Sequence, residues 1–465
     1  MEFSLSASSR RYRRDRLIDK PRVARIDVFA SSGATARSGM RSHLDGNNSI
    51  QLGRLLSHGR SFDIELSDLQ RHLFMVGQTG SGKSTLLKNL AAQIIASGGG
   101  TSLIDPHGDL SEELLRLIPR SRFDDVVYLD AADESFVVAL DWFGRSLPKN
   151  RREPIASALV AAFRGYFGES WGPRLEMILS ASLLALLECD GESLMGLPRM
   201  LEDERYRARI LTRVKNPMVR SFFENQMGRW DKRQHAEFVG PVLNKVSRLF
   251  LNRSMRGLFG QTRAKVNVRF MMDDRRILIA NLAKGKIGED SAALFGSMLV
   301  ALFEQSAMSR ADISEHDRVP HILMVDEYHN FASLRLVNAF SEIRKFGLSI
   351  VAVGQYLQQS APEIRNAIFG NCGTIITFRT GAEDAEVLRK HLANEEQSLD
   401  WFKDLSNFEA IVRRMTRIED PFKIKTHAAL YTDRHDGVVL KQLSREKYAS
   451  DRQQLEERIE RWLRH

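Results

Sequence analysis

Residues 77–85 of the chain read Gly-Gln-Thr-Gly-Ser-Gly-Lys-Ser-Thr, directly after the apolar run Leu73–Val76 and before the helically spaced run Leu86–Ile95. The pattern G-x4-G-K-[ST] in this strand–loop–helix setting is a specific signature of a phosphate-binding loop. Its glycines let successive backbone N–H groups point at phosphate oxygens, and the helix N-terminus adds a partial positive charge. A plain turn is the competing interpretation, which the flanking strand and helix disfavour. We therefore expect a nucleotide site within a parallel α/β domain.

The loop predicts both the contacts to a nucleotide and one ligand of a metal. Lys83 should reach the β- and γ-phosphates of ATP, and the hydroxyl of Ser84 should hold Mg²⁺. The predicted ATP contacts are Gly77, Thr79, Gly80, Ser81, Gly82, Lys83, Ser84 and Thr85.

A carboxylate site that would complete the metal site lies far along the chain. The apolar run His321–Val325 ends in Asp326 and Glu327. Asp326 should hold Mg²⁺ through a water molecule, and Glu327 should orient and polarise the attacking water. An acid pair after an apolar strand is common by itself, so this prediction depends on the phosphate loop upstream.

The next strand signal, Leu348–Val353, leads to Gln355. A neutral hydrogen-bonding side chain beside the acid pair can sense the γ-phosphate and relay its loss. Gln355 is therefore a predicted catalytic residue. A capping or turn role is the alternative.

Arg344 and Lys345 lie between those two strands, just before Phe346 and Gly347. A cation at the far end of the intervening helix cannot easily reach its own active site, but it can reach a neighbour's. Phosphoryl transfer benefits from an arginine that neutralises developing charge, and another subunit often supplies it. Arg344 is therefore a predicted catalytic residue in trans, with a solvated helix terminus as the alternative.

The segment Asp105–Asp109, Asp-Pro-His-Gly-Asp, follows a further strand signal. His107 admits a role as a ligand or a catalytic base. A lone histidine in a turn is more often structural, and no partner set for a metal is evident. Asp109 is the expected helix cap.

The order of strand and helix signals predicts one α/β domain with a mostly parallel sheet, interrupted by an all-α insertion. Short β-type runs, Val23–Phe29 and Ser61–Leu66, indicate a small β-rich N-terminal segment, and Pro241–Leu251 is the last helical run of the insertion. The predicted parts are a basic flexible arm (1–20), a β-rich lead-in (21–70), the ATPase domain (71–148 and 268–435), the all-α domain (149–267) and a charged C-terminal helix (436–465).

Composition excludes several classes of protein. The 465 residues are 43% hydrophobic and 27% charged, as in an ordinary globular protein. Two cysteines exclude a disulfide framework or a Cys-rich zinc site and fit a reducing cytosol. No apolar run reaches the roughly 20 residues of a membrane helix, and Met1–Arg14 lacks the apolar region of a secretory signal. We therefore expect no integral membrane segment.

Positive charge is concentrated in one part of the chain. The formal net charge is +9, yet residues 205–269 alone hold 16 Lys and Arg against three acids, a local charge of +13. Such a segment on a slightly acidic body is typical of a polyanion-binding surface. A set of solvated helix faces is the alternative.

Taken together, these motifs resemble the HerA/FtsK superfamily of ring-forming ATPases, and most closely the TraG/TraD-type coupling proteins of conjugative type IV secretion. The resemblance implies a RecA-like P-loop NTPase fold and an ATP-driven motor, a hexamer, that moves DNA through a channel. By position, Arg344 matches the arginine finger of the family and Gln355 its motif-three glutamine. The motifs that carry the resemblance are Gly77–Thr85, Asp105–Gly108, Val325–Phe331, Arg344–Gly347, Gly354–Gln355 and the stretch Asn371–Arg379.

Two other functions are compatible with the same motifs. One is a HerA-like DNA translocase that works with a nuclease in end processing or phage defence. The other is an ATPase adaptor for protein cargo, whose basic segment would bind acidic signals. Membrane-bound coupling proteins begin with transmembrane helices, whereas this sequence predicts none. The expected location is therefore the cytoplasm, with peripheral attachment to the inner membrane only through partners such as secretion machinery.

Overall fold

A computed structural model describes residues 49–168, 171–331, 340–393, 397–415, 417, 419–432 and 436–464. The predicted basic arm, 1–20, and the predicted strand Val23–Phe29 lie outside the described residues.

Within the described residues, eleven strands form one large sheet, and two further strands pair with each other. The strands are β1 (Ser49–Leu55), β2 (Ser61–Glu65), β3 (Leu73–Val76), β4 (Gly100–Asp105), β5 (Val126–Asp130), β6 (Phe136–Val138), β7 (Ile277–Asn281), β8 (His321–Val325), β9 (Leu348–Gly354), β10 (Thr374–Thr377), β11 (Glu409–Arg414), β12 (Phe422–Thr426) and β13 (Ala449–Asp451). Their order across the large sheet is β2-β1-β12-β11-β10-β3-β9-β8-β4-β7-β5.

The helices divide into those that flank the sheet and those of the central stretch α4 to α11. They are α1 (Leu66–Leu69), α2 (Lys83–Ala96), α3 (Asp109–Leu117), α4 (Arg152–Phe167), α5 (Pro173–Leu187), α6 (Gly196–Glu202), α7 (Glu204–Leu211), α8 (Pro217–Ser221), α9 (Lys232–Leu251), α10 (Arg253–Phe259), α11 (Val268–Asp273), α12 (Lys284–Ile287), α13 (Glu289–Met308), α14 (Pro362–Asn371), α15 (Ala382–Leu392), α16 (Asp400–Lys403), α17 (Gly437–Tyr448) and α18 (Arg452–Arg464).

The parallel part of the sheet brings the predicted motifs to one edge. All strands from β10 to β5 are parallel. Strand β9 lies between β3, which leads into the phosphate loop, and β8, which leads into the acid pair. Because the carboxyl ends of parallel strands meet at the same edge, the phosphate loop, the acid pair and Gln355 become neighbours.

Both faces of the sheet are covered, as expected for parallel strands. Along β3, Leu73 and Met75 join the core that contains α2 and α3, whereas Phe74 and Val76 join the core that contains α4, α5 and α13. The helical region from α4 to α11 therefore shares one continuous core with the sheet. Helix α13 packs directly on α4 and connects the two.

One described helix is long and apolar enough to cross a membrane by composition alone. It spans Glu289–Asp312, with a mean hydropathy of 1.2 in a window that is 78% buried. A helix buried to this extent in the protein interior is typical of a core helix.

The last helix predicted for the insertion begins nine residues earlier than expected. Helix α9 begins at Lys232, where Asp231 and Gln234 form a reciprocal capping box. Pro241 lies inside the helix instead of starting it. The helix start was predicted at Pro241 because proline is preferred in the first helical turn. The prediction was wrong because the capping box at Asp231, upstream of the predicted start, already starts the helix.

The prediction of a single charged C-terminal helix was also wrong. Two helices, α17 and α18, are separated by β13, whose residues pair antiparallel with β6. The register places Ala449 opposite Val138, so backbone pairing interrupts the helical pattern.

The end of the predicted lead-in joins the main sheet. Strand β1 pairs with β12, and β12 pairs with β11, so four antiparallel strands extend the parallel sheet at the β10 side. Strands β11 and β12 were not predicted, because charged residues interrupt their apolar pattern.

A candidate nucleotide site at the carboxyl edge of the sheet

The phosphate loop has the backbone that its glycines make accessible. Gly80 and Gly82 adopt φ values of 77° and 115°, in the left-handed region that favours glycine. Space is also limited, since a Cβ on Gly77 would lie 2.6 Å from the Cβ of Phe378. A Cβ on Gly82 would lie 2.9 Å from the ring of Phe408. Both conformation and packing therefore require glycines in this loop.

Lys83 is folded back onto the loop. Its Nζ donates hydrogen bonds to the carbonyl oxygens of Gly77 and Gln78, the latter at 2.9 Å. Burial lowers the pKa of Lys83 to about 8, against the opposing effect of the Asp326 and Glu327 carboxylates. Loop carbonyls thus hold a cation at the place where the motif expects terminal phosphates.

A cleft of about 480 Å³ opens above the loop. Most of the predicted site residues line it, but Gly77 and Ser81 belong to the loop without lining the cleft. The lining residues include Thr79, Gly80, Gly82, Lys83, Ser84, Thr85, His107, Asp109, Asp326, Glu327, Gln355 and Phe408.

Asp326 follows the last residue of β8 and faces the cleft. Its carboxylate accepts a hydrogen bond from the N–H of Glu327 at 3.1 Å. Burial, with the nearby charges of Asp105 and Glu327, raises the pKa of Asp326 to about 6. A carboxylate in this position is stabilised by a cation, and Ser84 offers a hydroxyl oxygen in the same cleft. Oxygen donors of this kind, completed by waters and phosphate oxygens, fit Mg²⁺.

Glu327 is surrounded by hydrogen-bond donors. Its Oε1 accepts from His107 Nε2 at 3.0 Å and from Gln355 Nε2 at 2.8 Å. Its Oε2 accepts from Lys284 Nζ and Asn330 Nδ2, both at 3.0 Å. Burial alone would raise the pKa of Glu327, but the hydrogen bonds from His107 and Lys284 outweigh it and lower the pKa to about 2. The carboxylate is therefore ionised.

Gln355 connects the phosphate loop to the acid pair. The hydroxyl of Thr79 donates to Gln355 Oε1 at 3.2 Å, and Gln355 Nε2 donates to Glu327. This bridge exists because β9 lies between the strands that carry the two motifs. A group that contacts both sides of the cleft is well placed to respond to a phosphate between them.

Two hydrogen-bond partners of Glu327, Lys284 and Asn330, were not among the predicted site residues. Lys284 follows the carboxyl end of β7, and Asn330 lies three residues after Glu327. The signal for Lys284 was its position after a buried parallel strand, because every such strand delivers its next residues to the same edge of the sheet. His107, for which the sequence favours a structural role, contacts Glu327 directly.

The segment after β4 is capped differently from the prediction. Gly108, with φ of 101°, is the N-cap of α3, and Asp109 is the first residue of the helix. The carboxylate of Asp105 accepts hydrogen bonds from the N–H groups of His107 and Ser111, at 3.0 and 2.8 Å. Asp105 therefore stabilises the turn that presents His107 to the cleft.

Arg344 lies at the opposite edge of the sheet. It belongs to the 3-10 turn Ile343–Phe346, which precedes the amino end of β9, and its side chain is exposed. Seven residues of β9 separate this turn from the cleft, a span of about 20 Å. The structure thus does not bring Arg344 to the site of its own chain.

The fold and the loop define a P-loop NTPase with a RecA-like, mostly parallel sheet. Residues 50–137 match the family model described as the central domain of the helicase HerA. The DNA double-strand break repair helicase HerA of Sulfolobus acidocaldarius is 32% identical over 66 residues, which is 14% of this chain and 13% of that relative. Within P-loop NTPases, these matches confirm the predicted resemblance to HerA/FtsK-type ATPases over this part of the chain.

Two solved structures, of the proteins TrwB and VirB4, share the fold over most of their length. The bacterial conjugative coupling protein TrwB has a TM-score of 0.59 at 15% identity, over 81% of this chain and 89% of TrwB. VirB4 of Thermoanaerobacter pseudethanolicus has a TM-score of 0.58 at 14% identity, over 83% of this chain and 98% of VirB4. TrwB has also been solved with ADP and Mg²⁺, with a TM-score of 0.58 at 16% identity over 80% of this chain and 89% of TrwB.

Proposed function

We propose that the protein is an ATP-hydrolysing ring motor that binds and translocates DNA in coupling-protein-like transfer. The observation that carries the proposal is the bridge from Thr79 through Gln355 to Glu327, which joins the phosphate loop to the acid pair across one cleft. Similarity in fold to TrwB, which binds ADP with Mg²⁺, supports ATP and Mg²⁺ as the ligands.

The cleft residues have different roles in the proposed phosphoryl transfer. Lys83 exchanges loop carbonyls for the β- and γ-phosphates, and the loop N–H groups hold the phosphate chain. Asp326 and Ser84 would hold Mg²⁺, which neutralises phosphate charge when bound. Glu327 orients and polarises the attacking water, and Gln355 senses the γ-phosphate.

Arg344 completes the site from a second subunit. Its own cleft is about 20 Å away across the sheet, and the side chain is exposed. In a ring of identical subunits, the amino edge of one sheet can face the cleft of the next. This arrangement supplies the arginine that phosphoryl transfer requires and supports a homo-oligomer, a hexamer by family resemblance.

The helical region supplies the surface for DNA. Some cations of the basic segment are used internally, since Arg213 pairs with Glu192 and Arg269 with Asp312. Many others are exposed, and the exposed set includes Arg205, Arg209, Lys215, Arg229, Lys232, Arg233, Arg248 and Arg263. Phosphate neutralisation needs such cations and little else, so affinity for DNA should fall steeply with salt.

The direct test is ATP turnover by the purified protein with and without single- and double-stranded DNA, alongside its mass in solution with ATP. We expect turnover that DNA stimulates and a mass that rises to that of a closed oligomer. The Lys83→Ala variant serves as the control for contaminating activity. Turnover that ignores both forms of DNA would contradict the translocase proposal while leaving the ATPase intact.

A second candidate is a HerA-like translocase that works with a nuclease in end processing or defence. The match of residues 50–137 to the HerA central domain favours it. Both candidates place the protein in the cytoplasm. Stable co-purification with a nuclease would favour this candidate, and co-purification with secretion machinery would favour the first.

A further inference from the structure

The hydrogen bonds around Glu327 occupy the acceptor sites that an attacking water molecule would need. An ionised carboxylate has about four lone-pair sites. Four donors in the described part of the chain fill them, two on each oxygen, namely His107 and Gln355 on Oε1 and Lys284 and Asn330 on Oε2. A water molecule that Glu327 is to polarise needs one of these sites. At least one donor must therefore leave before hydrolysis.

Lys284 is the donor whose departure can be controlled from outside the cleft. Asn330 lies on the same turn as Glu327 and moves with it. Gln355 is tied to the phosphate loop through Thr79. Lys284 instead belongs to α12, and its ammonium group carries a full charge, so its hydrogen bond to Glu327 is among the strongest of the four.

Helix α12 is connected to the basic helical region by direct contacts. The side chain of Asn252, between α9 and α10, donates to the carbonyl oxygen of Ile287 at 3.0 Å. Ile287 is the last residue of α12, three residues from Lys284. On the other side, the N–H of Lys284 donates to the carbonyl oxygen of Pro106 at 2.8 Å, next to His107. A shift of the helical region therefore has a short path to the donors of Glu327.

We propose that Lys284 holds Glu327 in a resting state and that DNA bound to the helical region releases it through Asn252 and α12. The inference rests on the proposed function, because it assigns DNA as the ligand that triggers hydrolysis. DNA can shift this equilibrium only if it binds the released state more tightly than the resting state. Lys284 is thus a positioning residue that acts through Glu327, and it couples the two sites.

The test compares Lys284→Met, which removes the charge and keeps the stem, with Lys284→Arg, which restores a charged donor. Lys286→Met is the matched control, since Lys286 is an exposed lysine on the same helix. ATP turnover is measured with and without a double-stranded DNA fragment, together with KM for ATP and the melting temperature. Lys284→Met in a Lys83→Ala background reports contaminating activity.

We expect Lys284→Met to raise kcat without DNA by about tenfold, the lower range for a hydrogen bond to a charged group. Stimulation by DNA should shrink by the same factor while KM changes little. Lys284→Arg and Lys286→Met should behave as wild type. An unchanged or lower basal kcat in folded Lys284→Met, with normal turnover by wild type, would overturn the resting-state role alone. Absence of ATP turnover in both the wild type and Lys284→Met would overturn the proposed ATPase activity and this inference together.

Discussion

The two edges of the sheet differ in what they do with their charges. At the carboxyl edge, Lys83, Asp326 and Glu327 lie within one cleft, and each makes hydrogen bonds inside the protein. At the amino edge, Arg344 and Lys345 occupy a short turn and are exposed. One edge gathers charged side chains around a cleft, and the other presents cations outward.

Under the proposed function, this difference means that a single chain lacks one component of its own chemistry. The cleft holds the groups proposed to bind phosphate, metal and water, but Arg344, the arginine proposed to act in trans, lies about 20 Å away at the other end of β9. Rigid strands fix that separation, so the chain itself cannot close it. A second copy that brings its amino edge to the cleft would supply the missing cation and make hydrolysis depend on assembly.

The largest effect should follow from removing the exposed cation. Arg344→Ala should lower ATP turnover by about 10³–10⁵-fold with nearly unchanged nucleotide affinity, because the lost charge acts mainly in the transition state. Lys345→Ala is the matched control on the same turn. Turnover assays on mixtures with Lys83→Ala subunits should recover part of the activity, since each variant supplies what the other lacks. Normal hydrolysis by Arg344→Ala would show that the two edges do not cooperate.

The next effect concerns the carboxyl edge alone. Glu327→Gln should reduce turnover by about 10²–10⁴-fold, because an amide cannot polarise water as a carboxylate does. Binding of a fluorescent ATP analogue should persist, and the assembled state should accumulate with ATP. Asp109→Asn, which alters another acid of the cleft, is the control. A Glu327→Gln variant with substantial turnover would assign the water-activating role elsewhere.

A smaller effect concerns the pH dependence of stability at the amino edge, where His72 lies near the charge of Arg344. Burial lowers the pKa of His72 to about 4, below its ordinary value of 6.5, and the charge of Arg344 adds to this. Between pH 6.5 and 4, the unfolded chain therefore binds a proton that the folded chain does not, so the free energy of unfolding falls as pH falls. The full loss from this group is about 3 kcal/mol.

His72→Asn tests that loss, because asparagine tolerates the left-handed φ of 60° and offers an oxygen to the N–H of Ile350, which His72 Nδ1 accepts at 2.9 Å. Denaturant titrations at several pH values should show a flatter acid limb for the variant. Identical acid limbs would mean that other groups carry the pH dependence.

The smallest effect lies on the helical region, outside both edges. Lys232 and Arg233 are exposed in the first turn of α9. Their double replacement by alanine should weaken DNA binding by about tenfold and lower the salt slope by about two, one for each phosphate contact. Arg389→Ala with Lys390→Ala, another exposed neighbouring pair on a helix, is the control. Equal losses of DNA affinity in both double variants would show that binding depends on net charge and not on a defined surface.

Much of the parallel sheet could be predicted from the sequence. The strands Leu73–Val76 and His321–Val325 have the predicted bounds, because continuous apolar runs ended by Gly or acids mark buried strands clearly. The antiparallel strands β11 and β12 were missed, since their partly exposed positions admit charged residues. The start of α9 was predicted wrongly at Pro241. The preference of proline for the first helical turn does not reveal a helix that contains proline in its interior.

The site could be predicted as far as its residues belong to motifs. The structure brings Lys83, Asp326, Glu327 and Gln355 to one cleft, and their catalytic roles, like that of Arg344, remain predictions. Lys284 has no motif around it. Its position after a buried strand places it at the carboxyl edge, but only the strand order, in which β7 lies beside β4, brings it within reach of Glu327. Such a contact is a property of topology, which spacing along the chain does not encode.

The strand order also has a consequence for how the molecule folds. None of β3, β4 and β5 hydrogen-bonds to another member of this set, and their partners in the sheet are β7, β8, β9 and β10. In its described residues, the half of the chain that carries the phosphate loop has no parallel sheet of its own until strands of the distant half insert between its strands. Pairing over such sequence separations is slow and passes through partly collapsed intermediates. The cleft between the phosphate loop and the acid pair therefore forms only after strands from both halves of the chain have paired.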